Sequence, residues 1–535
     1  MEDLKSIPVG QILERSAAKV PDKIAVVDGA ERFTYSELNS MANALAVSLA
    51  DIGLKKGDRI AIYMPNSIEF MVAFYAMQKL GIIVAWVNPF YRSTEARFIL
   101  NNSEARAVFI FSGWDGKNYH DDILSLKNEL PCLEFIFAVG HNQNQGVYSF
   151  YDLVDRGMDQ AFSSVAINPK KDLAMLLYTS GTTGKPKGAM ITHYAAVRAG
   201  WQYSLGVQAS SEDIFIGFLP MSHSYGCGSI LIQPLLLQAT VVLMDQFEVE
   251  KAFQLIEQEK ISLQLGSPTH YILELNHKNR SKYDLSSLRA GMIAGMVAPE
   301  GLITRVEKEM GLYLTSFWGA SEVGPGVGTM CPYPSPLEIR EKYIGLPVAD
   351  TRMRVVDPVT HQELEDGEIG ELTLAGWHVM QGYWNNPAET REQIIDGWLH
   401  MGDLASRDKN GYMKIYGRTK DLINRGGYKI YPYELECMLI DHPKVEQVCI
   451  VATPNPVLGE SICACVIPRS GHTVTLEEIR DLMKDQIAPH KLPDELCIMD
   501  DFPKLSGGVK VKKFGRGGLA ELAEKDETRQ KIRKE

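Results

Sequence analysis

The sequence predicts an α/β protein: a large N-terminal domain of mixed and parallel sheets with helices, followed by a small mobile α+β domain. Three observations predict it. At 535 residues the chain is too long for one ordinary hydrophobic core. In its first half, strand-like apolar runs alternate with helix-patterned segments, the order that gives a largely parallel sheet. After roughly residue 350 the pattern changes to short strands separated by turn dipeptides.

Residues 34–52 (TYSELNSMANALAVSLADI) read as an amphipathic helix with Thr34 or Ser36 as its cap. Residues 59–64 read as a strand, 66–80 as a helix, 82–87 as a buried strand and 106–111 as another. Strands recur at 173–178, 214–219 and 240–244. Later come short strands at 353–356, 370–374 and 411–415, set among Asp366-Gly367, Asp396-Gly397 and Asn410-Gly411 turns. A helix at 432–441, strands at 445–452 and 461–467 and a helix at 475–486 form the small α+β unit. The tail from Gly515 is Gly-rich and then charged, which predicts a frayed terminus or a solvated helix.

Lys plus Arg number 55 against 67 Asp plus Glu, a net charge of −12, so a nucleic-acid partner is disfavoured. An acidic chain still binds ATP, because phosphate sites rest on local amides and single cations. The N-terminus lacks a basic segment followed by an apolar one, so no signal peptide is read. The apolar stretch 81–87 is far short of a transmembrane segment, and the cytoplasm is the default compartment. The eight cysteines include no CxxC pair; Cys463 and Cys465, two apart on a strand-like run, are read as facing opposite sides. The cysteines therefore indicate neither a disulfide framework nor a zinc site.

The strongest local signal is the run from Tyr178 to Gly188, YTSGTTGKPKG, directly after the apolar DLAMLL. Glycines free the backbone to expose N–H groups, while Thr179, Ser180, Thr182, Thr183 and the lysines add donors and charge, which suits a polyphosphate. It is not a Walker A loop: only Thr182 and Thr183 separate Gly181 from Gly184-Lys185, and Pro186 follows. The alternative is a flexible surface turn.

This loop resembles the signature of the adenylate-forming superfamily: acyl- and aryl-CoA synthetases, amino-acid adenylation domains and luciferases. The resemblance extends over almost the whole chain. It continues through Lys56-Gly57-Asp58-Arg59, Phe317-Trp318-Gly319-Ala320-Ser321-Glu322, Gly382-Tyr383-Trp384, Trp398-Leu399-His400-Met401-Gly402-Asp403, Tyr416-Gly417-Arg418-Thr419-Lys420-Asp421 and Gly426-Gly427-Tyr428-Lys429, in the family's order.

The resemblance implies a carboxylic acid:CoA ligase using ATP, Mg²⁺ and coenzyme A, working through an acyl-adenylate. It implies a domain over 1–417, a hinge over 418–420 and a lid domain over 421–535. Thr179, Ser180, Gly181, Thr182, Thr183 and Lys187 would hold the β- and γ-phosphates, Ser321 the α-phosphate and Glu322 the Mg²⁺. Asp403 and Arg418 would bind the ribose. Gly295, Phe317, Trp318 and Gly319 would wall the adenine. His223 would gate an acyl pocket containing Tyr225, Gly226, Cys227 and Gly228. Lys420 would be the pivot, and Gly426 and Gly427 would line the CoA tunnel. The family's last motif, Pro-x-Thr-x-x-Gly-Lys, is irregular here: strict alignment of PKLSGGVKVKK puts Val509 at the lysine, whereas a one-residue insertion puts Lys510 there. The insertion is preferred, because the reaction concentrates anions.

Several alternatives stay open. A carrier-protein phosphopantetheine uses the same thiol arm as CoA. A catalytically dead nucleotide binder would fit the irregular last motif. The small residues after His223 would serve either an open pocket or tight backbone packing. No carboxylate lies between Met221 and Leu237, where amino-acid-activating relatives carry an Asp, so the expected substrate is a medium-chain fatty, alicyclic or aromatic acid. The sequence leaves the oligomeric state, a homodimer included, undetermined.

Overall fold

The computed structural model describes residues 6–140, 146–179, 186–440, 442–504, 511–515 and 517–531. The chain divides into two compact units. One comprises Met1–Met353, Leu374–Leu399 and Gly411–Met413; the other comprises Arg354–Thr373, His400–Asn410 and Lys414–Glu535. The fold class is the α/β arrangement expected. The segment expected as a hinge, 418–420, falls inside the second unit.

The first unit is built on a nine-stranded and a seven-stranded sheet. In the former, Tyr313–Trp318, Ala290–Ile293, Leu263–Gly266, Ile214–Gly217, Thr240–Leu243 and Ile24–Asp28 lie side by side, every pairing parallel. Parallel strands need helices on both faces. Accordingly Leu263–Gly266 and Ala290–Ile293 are buried at every residue. The seven-stranded sheet runs Val147–Ser149, Phe135–Val139, Ala107–Phe111, Arg59–Tyr63, Ile83–Trp86, Leu173–Thr179 and Lys187–Thr192, with only the last pairing antiparallel.

The helix Ile68–Leu80 is buried at every residue, because it packs between the seven-stranded sheet and neighbouring helices. Gln78 donates from its side-chain amide to the Ala174 carbonyl at 2.9 Å, and Tyr75 donates to the Leu231 carbonyl at 2.9 Å. Of the two caps expected for the next helix upstream, Tyr35–Asp51, Thr34 is the one used. Its hydroxyl accepts from the Glu37 N–H at 3.2 Å, and Glu37 accepts from the Thr34 N–H at 2.8 Å. The cap is legible because it needs only residues three apart.

In the second unit, Gly459–Pro468 pairs antiparallel with Val445–Asn455 and parallel with Glu495–Ile498. Helices Pro432–Ile440 and Leu476–Met483 contribute Leu435, Leu439, Ile479 and Met483 to a core on one face. Two expectations are corrected here. Cys463 and Cys465 lie in one buried cluster with Cys449 and Cys497, because a strand repeats every second residue and puts i and i+2 on the same side. The tail is neither frayed nor solvated over its helix: Leu519 and Ala523 of Leu519–Lys525 are fully buried in that cluster. Gln530–Lys531 then pairs with Glu495 and Leu496. Among the described residues no helix is long and apolar enough to cross a membrane.

Candidate functional site

The glycine-rich run closes a hairpin. Leu173–Thr179 and Lys187–Thr192 pair antiparallel, with Thr179 opposite Lys187 and Tyr178 opposite Gly188. Thr179 and Lys187 therefore face each other across the ends of the two strands, on either side of the glycine-rich run. Ser180, Gly181, Thr182 and Thr183 lie outside the described residues, as does Lys510.

The segment around Tyr383 adds to the outer edge of this hairpin. Trp384 N–H donates to the Gly188 carbonyl at 2.8 Å, and Met190 N–H donates to the Gly382 carbonyl at 2.9 Å. That seating carries Tyr383 to Glu322, whose Oε1 accepts from the Tyr383 hydroxyl at 2.9 Å. Backbone bonding fixes the same junction, Met380 N–H donating to the Glu322 carbonyl at 2.9 Å. Lys187 is buried, pairs with Glu389, and lies 5.3 Å from the centre of the Tyr383 ring. Lys187, Glu389, Tyr383 and Glu322 thus form one connected set at the root of the hairpin. Sequence reasoning singled out Lys187 and Glu322 but gave Tyr383 no role and missed Glu389. The Gly382-Tyr383-Trp384 motif was the available signal for Tyr383. Glu389, in the first turn of Pro387–Gln393, carries none.

The other candidates of this unit sit at or past the C-terminal ends of its parallel strands, where α/β sheets bind ligands. Gly295 follows Ala290–Ile293; it is exposed, with φ +90°, a conformation that favours glycine. Phe317 is buried against Tyr203 and Tyr225, with ring centres 5.2 and 4.9 Å away. Trp318 lies flat enough on Gly328 that a Cβ there would come within 2.6 Å of the indole. At Gly319 a Cβ would stand 2.0 Å from the Gly326 carbonyl oxygen, so no larger residue fits. Ser321 is half-buried.

His223 is exposed, and its Nδ1 accepts from the Tyr225 N–H at 3.2 Å, which leaves Nε2 as the protonated nitrogen of the neutral ring. Tyr225 is buried and donates to the Met292 carbonyl at 3.2 Å. Cys227 is fully buried, which pushes its thiol pKa up. A Cβ on Gly226 would lie 2.1 Å from the Pro220 carbonyl oxygen, and one on Gly228 2.6 Å from that of Pro325. The missing side chains at these two positions therefore serve close packing, one of the two alternatives left open by the sequence. Cys227–Ile232 is wound as a π-helix, a form frequent beside functional sites.

In the second unit, Arg418 Nε donates to Asp403 Oδ1 at 2.9 Å and its Nη2 donates to the Met401 carbonyl at 3.2 Å. The strand bearing Asp403 is tied down on both sides of Gly402. Gly402 N–H donates to Glu371 at 3.0 Å, and its carbonyl accepts from the Thr419 hydroxyl at 2.7 Å. Lys420 lies in the short 3₁₀ turn Thr419–Asp421. Gly426 and Gly427, at φ +58° and +89°, are the two central residues of the hairpin that pairs Arg425 with Tyr428. A turn with both central residues at positive φ is the form that selects glycine. Lys513 is held by Glu436 at 2.9 Å and Asp421 at 3.8 Å. Burial pulls its pKa down, but Glu436 and Asp421 outweigh that, and the net shift is upward.

Comparison with known proteins agrees with this geometry. The model of the AMP-binding enzyme family matches residues 13–384, and that of the AMP-binding enzyme C-terminal domain matches 434–508. The chain is 32% identical to the mitochondrial medium-chain acyl-CoA ligase ACSF2 of Danio rerio, over 96% of this chain and 88% of that one. It is 32% identical to the medium-chain fatty-acid–CoA ligase of Escherichia coli, over 94% of this chain and 88% of that one. Among solved structures, ATP-bound MatB from Rhodopseudomonas palustris superposes with a TM-score of 0.87 at 25% identity, covering 97% of this chain and 99% of that chain. With one family model matching 13–384 and a second matching 434–508, the chain belongs to the AMP-binding enzyme family, the adenylate-forming superfamily.

Proposed function

We propose that the chain is an AMP-forming carboxylic acid:CoA ligase acting on an apolar acid of medium size. The observation that supports this most is the connected set Lys187–Tyr383–Glu322 at the root of the glycine-rich hairpin. A substrate carboxylate oxygen attacks the α-phosphorus of ATP and pyrophosphate leaves; the CoA thiolate then attacks the acyl carbon and AMP leaves. Both partners of the first step are anions, so the chain's work is to position them and offset charge.

In this reading Thr179 and Lys187 flank the phosphate turn and Lys187 supplies a fixed cation. Glu322 is the carboxylate for Mg²⁺. A half-buried carboxylate oriented by a tyrosine hydroxyl is the hard oxygen ligand that ion takes, and the ion would neutralise phosphate oxygens. Asp403, with one oxygen already committed to Arg418, keeps acceptor capacity for the ribose hydroxyls. Gly295, Phe317, Trp318 and Gly319 wall the adenine, Ser321 meets the α-phosphate, Lys510 neutralises the reacting anions, and Gly426 and Gly427 admit pantetheine. Residues 1–417 and 421–535 act as body and lid about Lys420.

The substrate class rests on the absence of any carboxylate between Met221 and Leu237 to pair with an ammonium, and on the medium-chain acids in the names of two relatives. An apolar pocket discriminates by only ~1–3 kcal/mol per methylene, so activity will grade across related acids. The test is CoA-dependent AMP release with hexanoate, octanoate, cyclohexanecarboxylate, benzoate, acetate, palmitate and several amino acids. Highest activity with acetate or an amino acid would sink the substrate class; no pyrophosphate exchange with any acid would sink the ligase reading.

A further inference from the structure

The second unit gathers three ligand-type side chains that none of the family motifs puts to use together. His361 lies between the strands Thr351–Val356 and Gly370–Gly376, Glu371 lies on the latter, and His400 lies on Trp398–Arg407. One ligand atom from each residue is within 4.8 Å of the others. His400 Nδ1 and Glu371 Oε2 are 2.9 Å apart. The rings of His361 and His400 are centred 4.7 Å apart and inclined at 48°. Glu371 and His400 are buried while His361 is exposed, so the cluster has one closed side and one open side.

The surroundings hold these groups in place. Glu371 Oε1 accepts from the Gly402 N–H at 3.0 Å, the kind of outer hydrogen bond that orients a ligating carboxylate. His361 has φ +57°, a region few non-glycine residues occupy. It is kept there by its own N–H donating to the Asp357 carbonyl at 2.9 Å, next to a turn in which Asp357 Oδ1 accepts from the Val359 and Thr360 N–H groups at 2.9 and 2.8 Å.

We propose that His361, Glu371 and His400 form a binding site for a borderline divalent cation, with Zn²⁺ the best match. Two imidazoles and one carboxylate are the nitrogen and oxygen donors that ion prefers, whereas Ca²⁺ and Mg²⁺ need more oxygens. Bonds of ~2.0–2.2 Å place tetrahedral ligand atoms about 3.3 Å apart. The His400–Glu371 pair, at 2.9 Å, is already near that spacing, and the exposed His361 is the ligand that would close on the ion. The open side leaves a fourth position for water. The site does not depend on the ligase reading.

The experiment uses the full chain, stripped with a chelator and titrated with Co²⁺ and then Zn²⁺. The expected result is a single equivalent of Co²⁺ with visible d–d bands and no thiolate charge-transfer band, displaced by Zn²⁺. His361→Ala and Glu371→Gln should each weaken Zn²⁺ binding by at least ~10-fold. The affinity is read on protein whose circular dichroism matches the parent. Absence of stoichiometric binding would overturn the site. So would a thiolate band placing the metal on cysteines, or unchanged affinity in His361→Ala.

Discussion

Lys187 and Lys513 are both lysines largely covered by protein and paired with carboxylates, one in each unit, and they differ in what else the ammonium faces. Lys187 meets one carboxylate, Glu389, and the face of Tyr383, whose hydroxyl is engaged by Glu322. Lys513 meets two carboxylates, Glu436 and Asp421, and Glu436 also accepts from the Ile450 N–H at 2.8 Å. The first arrangement leaves a cation beside a glycine-rich turn and a second acid. The second encloses its cation between two acids, one of them, Glu436, tied to the sheet. Burial plus an ion pair therefore does not mark a functional lysine; what the pair adjoins does.

The limiting case is a buried acid with no counter-charge, and it should give the largest effect. Glu274 is fully buried, accepts from the Gln264 amide at 2.7 Å, and is pushed up to about 8 by burial. Glu274 Oε1 and Gln264 Oε1 have no hydrogen-bond partner among the described residues, the setting in which a carboxyl keeps its proton. Because the folded pKa is raised, the group's stabilisation is complete below the unfolded value of 4.5 and is lost as pH rises through about 8. The unfolding free energy from urea titrations should fall across that window by up to ~1.4 kcal/mol per pH unit. Glu274→Gln should flatten the profile, and an unchanged slope would remove the assignment.

Lys187→Ala should lower pyrophosphate exchange by ~10²–10³-fold, the usual cost of losing one preorganised charge partner in a transition state. Thioester formation from supplied acyl-adenylate should be spared; equal loss in both half-reactions would erase the contrast with Lys513. Lys513→Met should instead cost about 2 kcal/mol in the unfolding of the C-terminal unit, discounted from the buried-pair range because the lysine side chain is 21% exposed. Scanning calorimetry reads this, and a variant of parental stability would mean that the carboxylates are not bound to Lys513 in solution. Tyr383→Phe removes one hydrogen bond to Glu322 and should reduce exchange by about 10-fold, consistent with ~1.5 kcal/mol for a bond to a charged group. Its Mg²⁺ requirement should rise, and a changed rate with an unchanged Mg²⁺ requirement would detach Glu322 from the metal.

The sequence alone determined whatever is written within a few residues. The helix cap at Thr34, the buried strand before YTSGTTGKPKG, and the Asp396-Gly397 turn needed no partner from elsewhere, and the ordered motifs pointed to the family. The structure retains the helices and strands read in advance, with their ends moved by a few residues. Leu263–Gly266 and Ala290–Ile293 carry no strand signal, because each is four residues long and Gln264, Gly266 and Gly291 break the apolar run. Only the tertiary structure decided that Lys187 meets Glu389, 202 residues away, and that Tyr383 meets Glu322. It also decided that Gly226 and Gly228 make room for carbonyl groups and that the tail helix packs against the cysteine face. The physical reason is the same in each case. Sheet pairing, not chain proximity, brings these residues together, and hydrophobic burial is indifferent to how far along the chain its partners lie.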